Sequence, residues 1–386
     1  MILGLLSFQK GEDMENHTYY MQLAIELAKK GIGFVNPNPL VGAVIVKEDR
    51  IIGEGYHTKF GALHAEREAL KHCVEDPKGA TMYVTLEPCC HYGKTPPCTE
   101  AIIESGISKV IVGSFDPNEK VAGKGIAILR EHGIEVVTGV CEEECLELNE
   151  VFFYYIQTHL PYVVMKYAMT IDGKIATYSG KSKWITGAAA RKRVHQDRNR
   201  YMGIMVGIGT VLQDNPLLTC RNLNERNLCG RNPVRIICDT SLKIPMESQV
   251  IQTIEEAPTW IATCSNNFEK IEQLRAKGCE VLQFEREKDG KVPLKNLMKV
   301  LGERGIDSIL LEGGGTLNWN ALEEGIVQKV DAYIAPKIFG GVGSKTPVEG
   351  KGVDLPSDGV LLKQKRVTLL GDDILIESEV KSCLQD

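Results

Sequence analysis

The stretch CEEECLELNEVFFYYIQTHLPY reads as a helix that has to stop before Pro161, and a separate series of strand-like segments lies on each side of it. Upstream, YYMQLAIELAKKG places Tyr20, Leu23, Ala24 and Leu27 on one helical face and ends at Gly31. LVGAVIV and RIIGEGY then form a hairpin, followed by helix HAEREALKHC, strand TMYVTLE, helix CTEAIIESG, strand KVIVGSF, helix GIAILREHG and strand IEVVTG. A hairpin followed by alternating helices and strands predicts an α/β sandwich. Downstream, YVVMKYAMT, YMGIMVGIGT, VRIICDT, TWIATC, EVLQF, SILLEGG, VDAYIAPKIF and a final pair VTLLGDD…ILIES predict a second α/β domain with a larger sheet. The expected layout is a loose extension over residues 1–13, a first domain over 14–158 and a second over 159–386.

At 43% apolar and 25% charged residues the 386-residue chain is globular. It has no apolar run long enough for a membrane span, and its opening lacks a basic start or cleavage site. Twelve cysteines in such a chain point to thiols in a reducing cytoplasm rather than to disulfides. Residues 1–159 carry 14 Lys/Arg against 23 Asp/Glu, a net of −9, and residues 160–386 carry 31 against 28, a net of +3. The acidic first half argues against nucleic acid as a partner, and the mildly basic second half suits a phosphorylated small molecule.

PCCHYGKTPPC, from Pro88 to Cys98, crowds three cysteines and a histidine into eleven residues. HAE places His64 and Glu66 at a helix start, and one strand later Cys89 and Cys98 return to the same sheet edge. One imidazole and two thiolates are three ligands, the number catalytic zinc takes while leaving a fourth position for water; a structural site would need a fourth protein ligand. Glu66, two residues from His64, reaches that position without being a ligand. H-x-E followed by P-C and a second cysteine is the signature of zinc-dependent base deaminases, here with eight residues between the thiols. Cys90 competes with Cys89 as ligand, but Cys89 directly follows Pro88 as the signature requires. His91 reads as a loop or substrate-contact residue. In the second half, SILLEGGGTLNWN ends a strand in Gly313–Gly315 and opens a helix near Thr316, an arrangement that serves either a tight turn or a phosphate. It is not the G-x-G-x-x-G fingerprint.

NPNPLVGAVIV, HAE, VTLEPCCHYGKTPPC and DPNEKVAGKGI together resemble the deaminase half of the bifunctional riboflavin-biosynthesis deaminase–reductase family, which usually has Ser where this chain has Cys90. KYAMTIDGKIA…SGKSKWIT and VGIGTVLQDNPLLTCR resemble its reductase half. The resemblance covers Met14 to Glu379. It implies a cytidine-deaminase-like three-layer α/β/α domain followed by a dihydrofolate-reductase-like α/β domain. It also implies one zinc ion per chain on His64, Cys89 and Cys98, with Glu66 as the catalytic acid/base and Asn38 and Lys94 holding the phosphoribosylated pyrimidine. In the reductase half, Ala168, Trp184, Thr210, Asp214, Thr240 and the run Gly314, Gly315, Thr316, Leu317, Asn318, Trp319, Asn320 would contact NADPH. Lys166, Ser182, Arg198, Leu218, Arg221 and Glu312 would contact substrate. The implied chemistry is hydrolytic deamination of the pyrimidine, then reduction of its ribosyl chain to ribityl, by a homo-oligomer of the cytoplasm. Asp172 reads as structural, and Arg191, Lys192 and Arg193 as a solvated helix face. The competing readings are a free-nucleoside or tRNA deaminase with an unrelated appended domain, and a structural zinc module, which has no use for Glu66.

Overall fold

The computed structural model describes residues 2–93, 96–118, 121–221, 231–286 and 290–381, the side chains of the first helix from residue 15 onward. It forms two compact units, Met1–Thr158 and His159–Asp386.

The first unit runs α1 (Ile2–Lys29), β1 (Gly42–Lys47), β2 (Arg50–Tyr56), α2 (Ala65–Lys71), β3 (Thr81–Leu86), α3 (Cys98–Glu104), β4 (Lys109–Ser114), α4 (Lys124–Glu131), β5 (Glu135–Thr138), α5 (Glu142–Leu148) and α6 (Glu150–Thr158). Its sheet has the order β2-β1-β3-β4-β5, antiparallel at the hairpin side and parallel from β3 onward. Both faces are apolar because successive residues of each strand point to opposite sides. Val44, Val46, Tyr83 and Ile111 meet Tyr20, Met21 and Ala24 of α1 and Cys145 of α5. Ala43, Ile45, Met82 and Val84 meet Ala65 and Ala69 of α2, Ile102 of α3, and Ile126 and Leu129 of α4. Three layers result. Gly55 lets α2 sit directly on β2, since a Cβ there would stand 2.2 Å from the Ala69 nitrogen.

Two expectations change in this unit. Residues 2–13 are the first part of α1 rather than a loose extension. The acidic stretch from Cys141 is two helices, not one, because Asn149 at the break turns its side chain to Leu40. Its Oδ1 accepts the Leu40 N–H at 2.8 Å and its Nδ2 donates to the Leu40 carbonyl at 2.9 Å.

The second unit comprises β6 (Tyr162–Thr170), α7 (Ala188–Arg200), β7 (Gly203–Gly207), α8 (Ile208–Asp214), β8 (Val234–Cys238), α9 (Gln249–Gln252), β9 (Thr259–Thr263), α10 (Phe268–Ala276), β10 (Glu280–Gln283), α11 (Leu294–Glu303), β11 (Ser308–Leu311), α12 (Gly315–Glu323), β12 (Lys329–Ala335), β13 (Leu362–Leu370) and β14 (Asp373–Val380). Nine strands pair in the order β10-β9-β8-β7-β11-β6-β12-β14-β13, with antiparallel pairing confined to β12–β14–β13. Met165, Met205, Ile309 and Leu311 pack on Leu297 and Leu301 of α11 and on Leu317 of α12. Ile204, Val206 and Ile237 pack on the opposite side with Val211 of α8 and Ile271 and Leu274 of α10. The segment YMGIMVGIGT is strand only to Gly207 and helix from Ile208, so its threonine opens a helix beside the strand end. Among the described residues no helix is long and apolar enough to cross a membrane.

Candidate active sites

Ligands of parallel sheets bind beyond the carboxyl ends of the strands, and both sites lie there. In the first unit His64 is the residue before α2, Cys89 follows β3, and Cys98 is the first residue of α3. Their donor atoms lie within 4.8 Å of one another. His64 Nδ1 is 3.4 Å from each sulfur, and the Cys98 N–H reaches the Cys89 sulfur at 3.3 Å. A hydrogen bond from Cys98 pulls the Cys89 thiol down to about 4, while the same contact, with burial, pushes Cys98 well up. Two sulfurs beside an imidazole make a soft N/S donor set that fits zinc. Cys90 lies beside this group but outside it.

Glu66 is 3% exposed, and burial raises its carboxyl above the usual range. It shares a cavity of about 380 Å³ with Asn38, His64, Cys89 and His91. Asn38 Nδ2 donates to His57 Nε2 at 3.0 Å, and His57 Nδ1 donates to the Leu63 carbonyl at 2.9 Å, which fixes a neutral tautomer. Burial likewise lowers the His57 pKa. His57, Asp116 and Asn118 also line the cavity, although no role was read for them in the sequence. Asp116 and Asn118 fall in DPNE, so the run was legible as part of the resemblance but the individual residues were not. Asp116 is pushed up to about 6 by burial. Glu87 is equally silent in the sequence; its carboxylate accepts the Asp116, Gly123 and Ile126 N–H groups at 3.4, 3.0 and 3.3 Å, tying α4 to this edge. Lys94 lies outside the described residues.

In the second unit a cavity of about 450 Å³ opens over the ends of β7, β8 and β11. Thr210, Asp214, Thr240, Gly314, Gly315, Thr316, Leu317 and Asn320 line it, as do Ser182 and Glu312. Gly314 has φ +91°, which a side chain would strain, and no side chain caps the helix that follows. The first N–H groups of α12 therefore face the cavity without a capping side chain, a cradle that fits a dinucleotide's phosphates. Thr210 Oγ1 donates to the Gly313 carbonyl at 3.3 Å, and Ser182 Oγ to Asp214 at 3.3 Å.

Glu312 anchors the charged end. Arg198 grips both its oxygens, Nε at 2.6 Å and Nη2 at 2.8 Å, and Lys166 Nζ lies 3.7 Å away. Burial alone would raise the Glu312 carboxyl, but the two cations bring it down to about 2. Leu218 (φ +53°) is buried, and the Arg221 N–H donates to His195 Nδ1 at 3.2 Å.

Other expected contacts point elsewhere. Asn318 is 2% exposed, its Nδ2 donating to the Pro347 carbonyl at 2.8 Å, so its side chain braces a loop instead of facing the cavity. Trp319 lies against Gly350, whose Cβ would come within 2.6 Å of the ring. Ala168 packs with Ala190, Tyr333 and Leu375, and Trp184 is exposed with the Arg191 guanidinium over its ring. Arg193 is half-buried and paired rather than freely solvated, with Asp197 at 3.0 Å and Glu377 at 3.6 Å, holding α7 to β14. Asp172 accepts from Thr170, Phe339 and Gly340 at 2.5, 3.2 and 2.8 Å, a structural tie. Lys291, also unread in the sequence, lines the cavity and donates to Asn320 at 2.6 Å.

Comparison with known proteins finds a match for each half of the chain. Residues 14–114 match the cytidine and deoxycytidylate deaminase zinc-binding region, and residues 161–376 match the RibD C-terminal domain. The riboflavin biosynthesis protein RibD of Actinobacillus pleuropneumoniae is 54% identical over 98% of each chain, and that of Aquifex aeolicus 46% identical over 92% of this chain and 96% of its own. The structure of Acinetobacter baumannii RibD superimposes with a TM-score of 0.85 at 37% identity, covering 96% of this chain and 100% of that one. A Thermotoga maritima diaminohydroxyphosphoribosylaminopyrimidine deaminase/5-amino-6-(5-phosphoribosylamino)uracil reductase does so with 0.82 at 41% identity and the same coverage. With both halves matched in order and over nearly its full length, the chain belongs to the RibD family of bifunctional riboflavin-biosynthesis enzymes, a deaminase joined to a reductase.

Proposed function

We propose that the first cavity deaminates a diaminohydroxyphosphoribosylaminopyrimidine and that the second reduces the resulting 5-amino-6-(5-phosphoribosylamino)uracil with NADPH, the activities carried by the Thermotoga maritima relative. The observation behind the first step is the three-donor group His64, Cys89 and Cys98 in one cavity with the buried Glu66. His64, Cys89 and Cys98 would hold one zinc ion, which would supply the Lewis acidity to activate a water near neutral pH. Glu66, with its raised pKa, takes a proton and returns it to the departing amine, which leaves as ammonia. Asn38, its amide held by His57, keeps its carbonyl oxygen for an amino group of the pyrimidine. Two thiolate ligands need a reducing compartment, so the cytoplasm is the proposed location.

In the second cavity NADPH supplies the hydride when bound. The backbone N–H groups at the start of α12 receive its phosphates, with Thr210, Asp214 and Thr240 along the cavity wall. Lys166, Arg198 and Arg221 outnumber Glu312 in charge, and the surplus suits the substrate's phosphate. The test is to give the purified protein the diaminopyrimidine with and without NADPH. Ammonia released in both cases, and NADPH consumed one for one only after that release, is expected. No ammonia, or NADPH consumed with no ammonia formed, would contradict the proposal.

A further inference from the structure

The segment from Leu217 to Arg221 carries two of the expected substrate contacts, yet it has no secondary structure of its own. Its backbone is held at four of its five residues. Arg235, fully buried in β8, donates from Nη1 to the Leu217 carbonyl at 3.2 Å. Arg198 Nη1 donates to the Thr219 carbonyl at 3.1 Å, and the Cys220 N–H donates to Asn232 Oδ1 at 2.9 Å. His195 closes the set twice: its carbonyl accepts the Cys220 thiol at 3.2 Å, and its ring Nδ1 accepts the Arg221 N–H at 3.2 Å. His195 and Arg198 stand three residues apart on α7, so one helix face grips the last three residues of the turn, Thr219 to Arg221. The same Arg198 holds Glu312, which lines the cavity, so the gripped segment is one side chain removed from it.

An Nδ1 that accepts an N–H cannot carry a proton, so the imidazole has to be neutral. Its surroundings keep it so: burial first, then the positive charges of Arg198 and Arg221, bring its pKa down to about 4, with Lys166 acting in the same sense and Glu312 alone opposing.

We propose that His195 is a positioning residue of the reductase site, acting through its neutral Nδ1 to fix the Arg221 backbone, so that Arg221 joins Arg198 and Lys166 in receiving the phosphate of the phosphoribosyl substrate. The inference rests on the reductase reading of this cavity. A cation set in place before binding loses less freedom on binding than one on a free turn, so the effect falls on substrate affinity more than on the chemical step.

The test uses the full chain with His195→Leu and His195→Asn, the deaminated pyrimidine as substrate, and inorganic phosphate as a competing probe. Asn places an amide oxygen where the imidazole has Nδ1, and Leu places none. For His195→Leu we expect KM for the pyrimidine to rise about tenfold or more and phosphate inhibition to weaken in parallel, with kcat falling less than about threefold. His195→Asn should recover most of the lost affinity. Wild-type KM in His195→Leu, or a kcat loss with KM unmoved, would overturn the proposal. If His195→Leu does not fold, His195→Asn decides: near-wild-type KM and phosphate inhibition support the role, and a KM raised about tenfold removes it. A wild-type protein that does not reduce the pyrimidine at all would instead contradict the reductase reading itself.

Discussion

Arg198 and Glu312 meet through two parallel hydrogen bonds of 2.6 and 2.8 Å at the end of β11, both side chains almost wholly withdrawn from solvent. A paired, bidentate geometry of this kind both satisfies a buried carboxylate and aims a guanidinium. Glu312 therefore shapes the cationic end of the cavity as well as lining it. Replacing it with Ala leaves Arg198 and Lys166 as buried, uncompensated cations, and we expect a loss of about 3–5 kcal/mol in the stability of the second unit. Glu312→Gln, which keeps the shape and some hydrogen bonding, should lose less. Denaturant titrations of both variants check this, and equal stability in Glu312→Ala and wild type would contradict it.

Acid should act on the same pair. A carboxyl brought from 4.5 to about 2 contributes its stability in full above the higher value and loses it as pH falls through the lower. The contribution is of order 3 kcal/mol. Wild type should lose stability more steeply than Glu312→Gln between these two pH values. Parallel denaturation curves for the two proteins over that range would show that Glu312 is not the titrating group.

Zinc content distinguishes the two adjacent cysteines. Cys89 touches His64 and Cys98, whereas Cys90 lies outside the donor group. Elemental analysis should find about one zinc per chain in wild type and in Cys90→Ser, and a large loss in Cys89→Ala. The reverse pattern would move the ligand to Cys90.

Each cavity is built wholly from residues of one unit, so the two activities should separate. A fragment covering 159–386 should bind NADPH, reduce the deaminated pyrimidine and contain no zinc. A folded fragment with neither binding nor reduction would contradict this.

The pattern of the sequence carried the succession of helices and strands along each half, and also the donor group, because zinc ligands are constrained to specific residue types at a short spacing. HAE and PCC could be matched without knowing how the chain folds. What stayed hidden depends on long-range geometry. Asn149 breaks a helix because it hydrogen-bonds Leu40, more than a hundred residues away, and nothing in its neighbours shows that. Arg193 looks like its neighbours Arg191 and Lys192, but only the fold sets Asp197 and Glu377 against it. Asn318 and Trp319 sit inside a run read as cofactor contacts. A helix that starts at the cavity turns every third or fourth residue away from it, and these two brace the segment around Pro347 and Gly350. His57 acts through both ring nitrogens and His195 through Nδ1, roles that no motif marks.

The most direct measurement is made on Glu66→Gln in the full chain, with zinc content, ammonia release and NADPH oxidation read on the same preparation. Removing a positioned acid/base should lower the deamination rate at least about a hundredfold. Zinc should stay near one per chain, since His64, Cys89 and Cys98 are unchanged, and NADPH oxidation with the deaminated pyrimidine should remain at the wild-type rate. Deamination near the wild-type rate with zinc in place would contradict the role of Glu66. Loss of reduction alongside deamination in a folded, zinc-loaded protein would contradict the division of the two reactions between two sites.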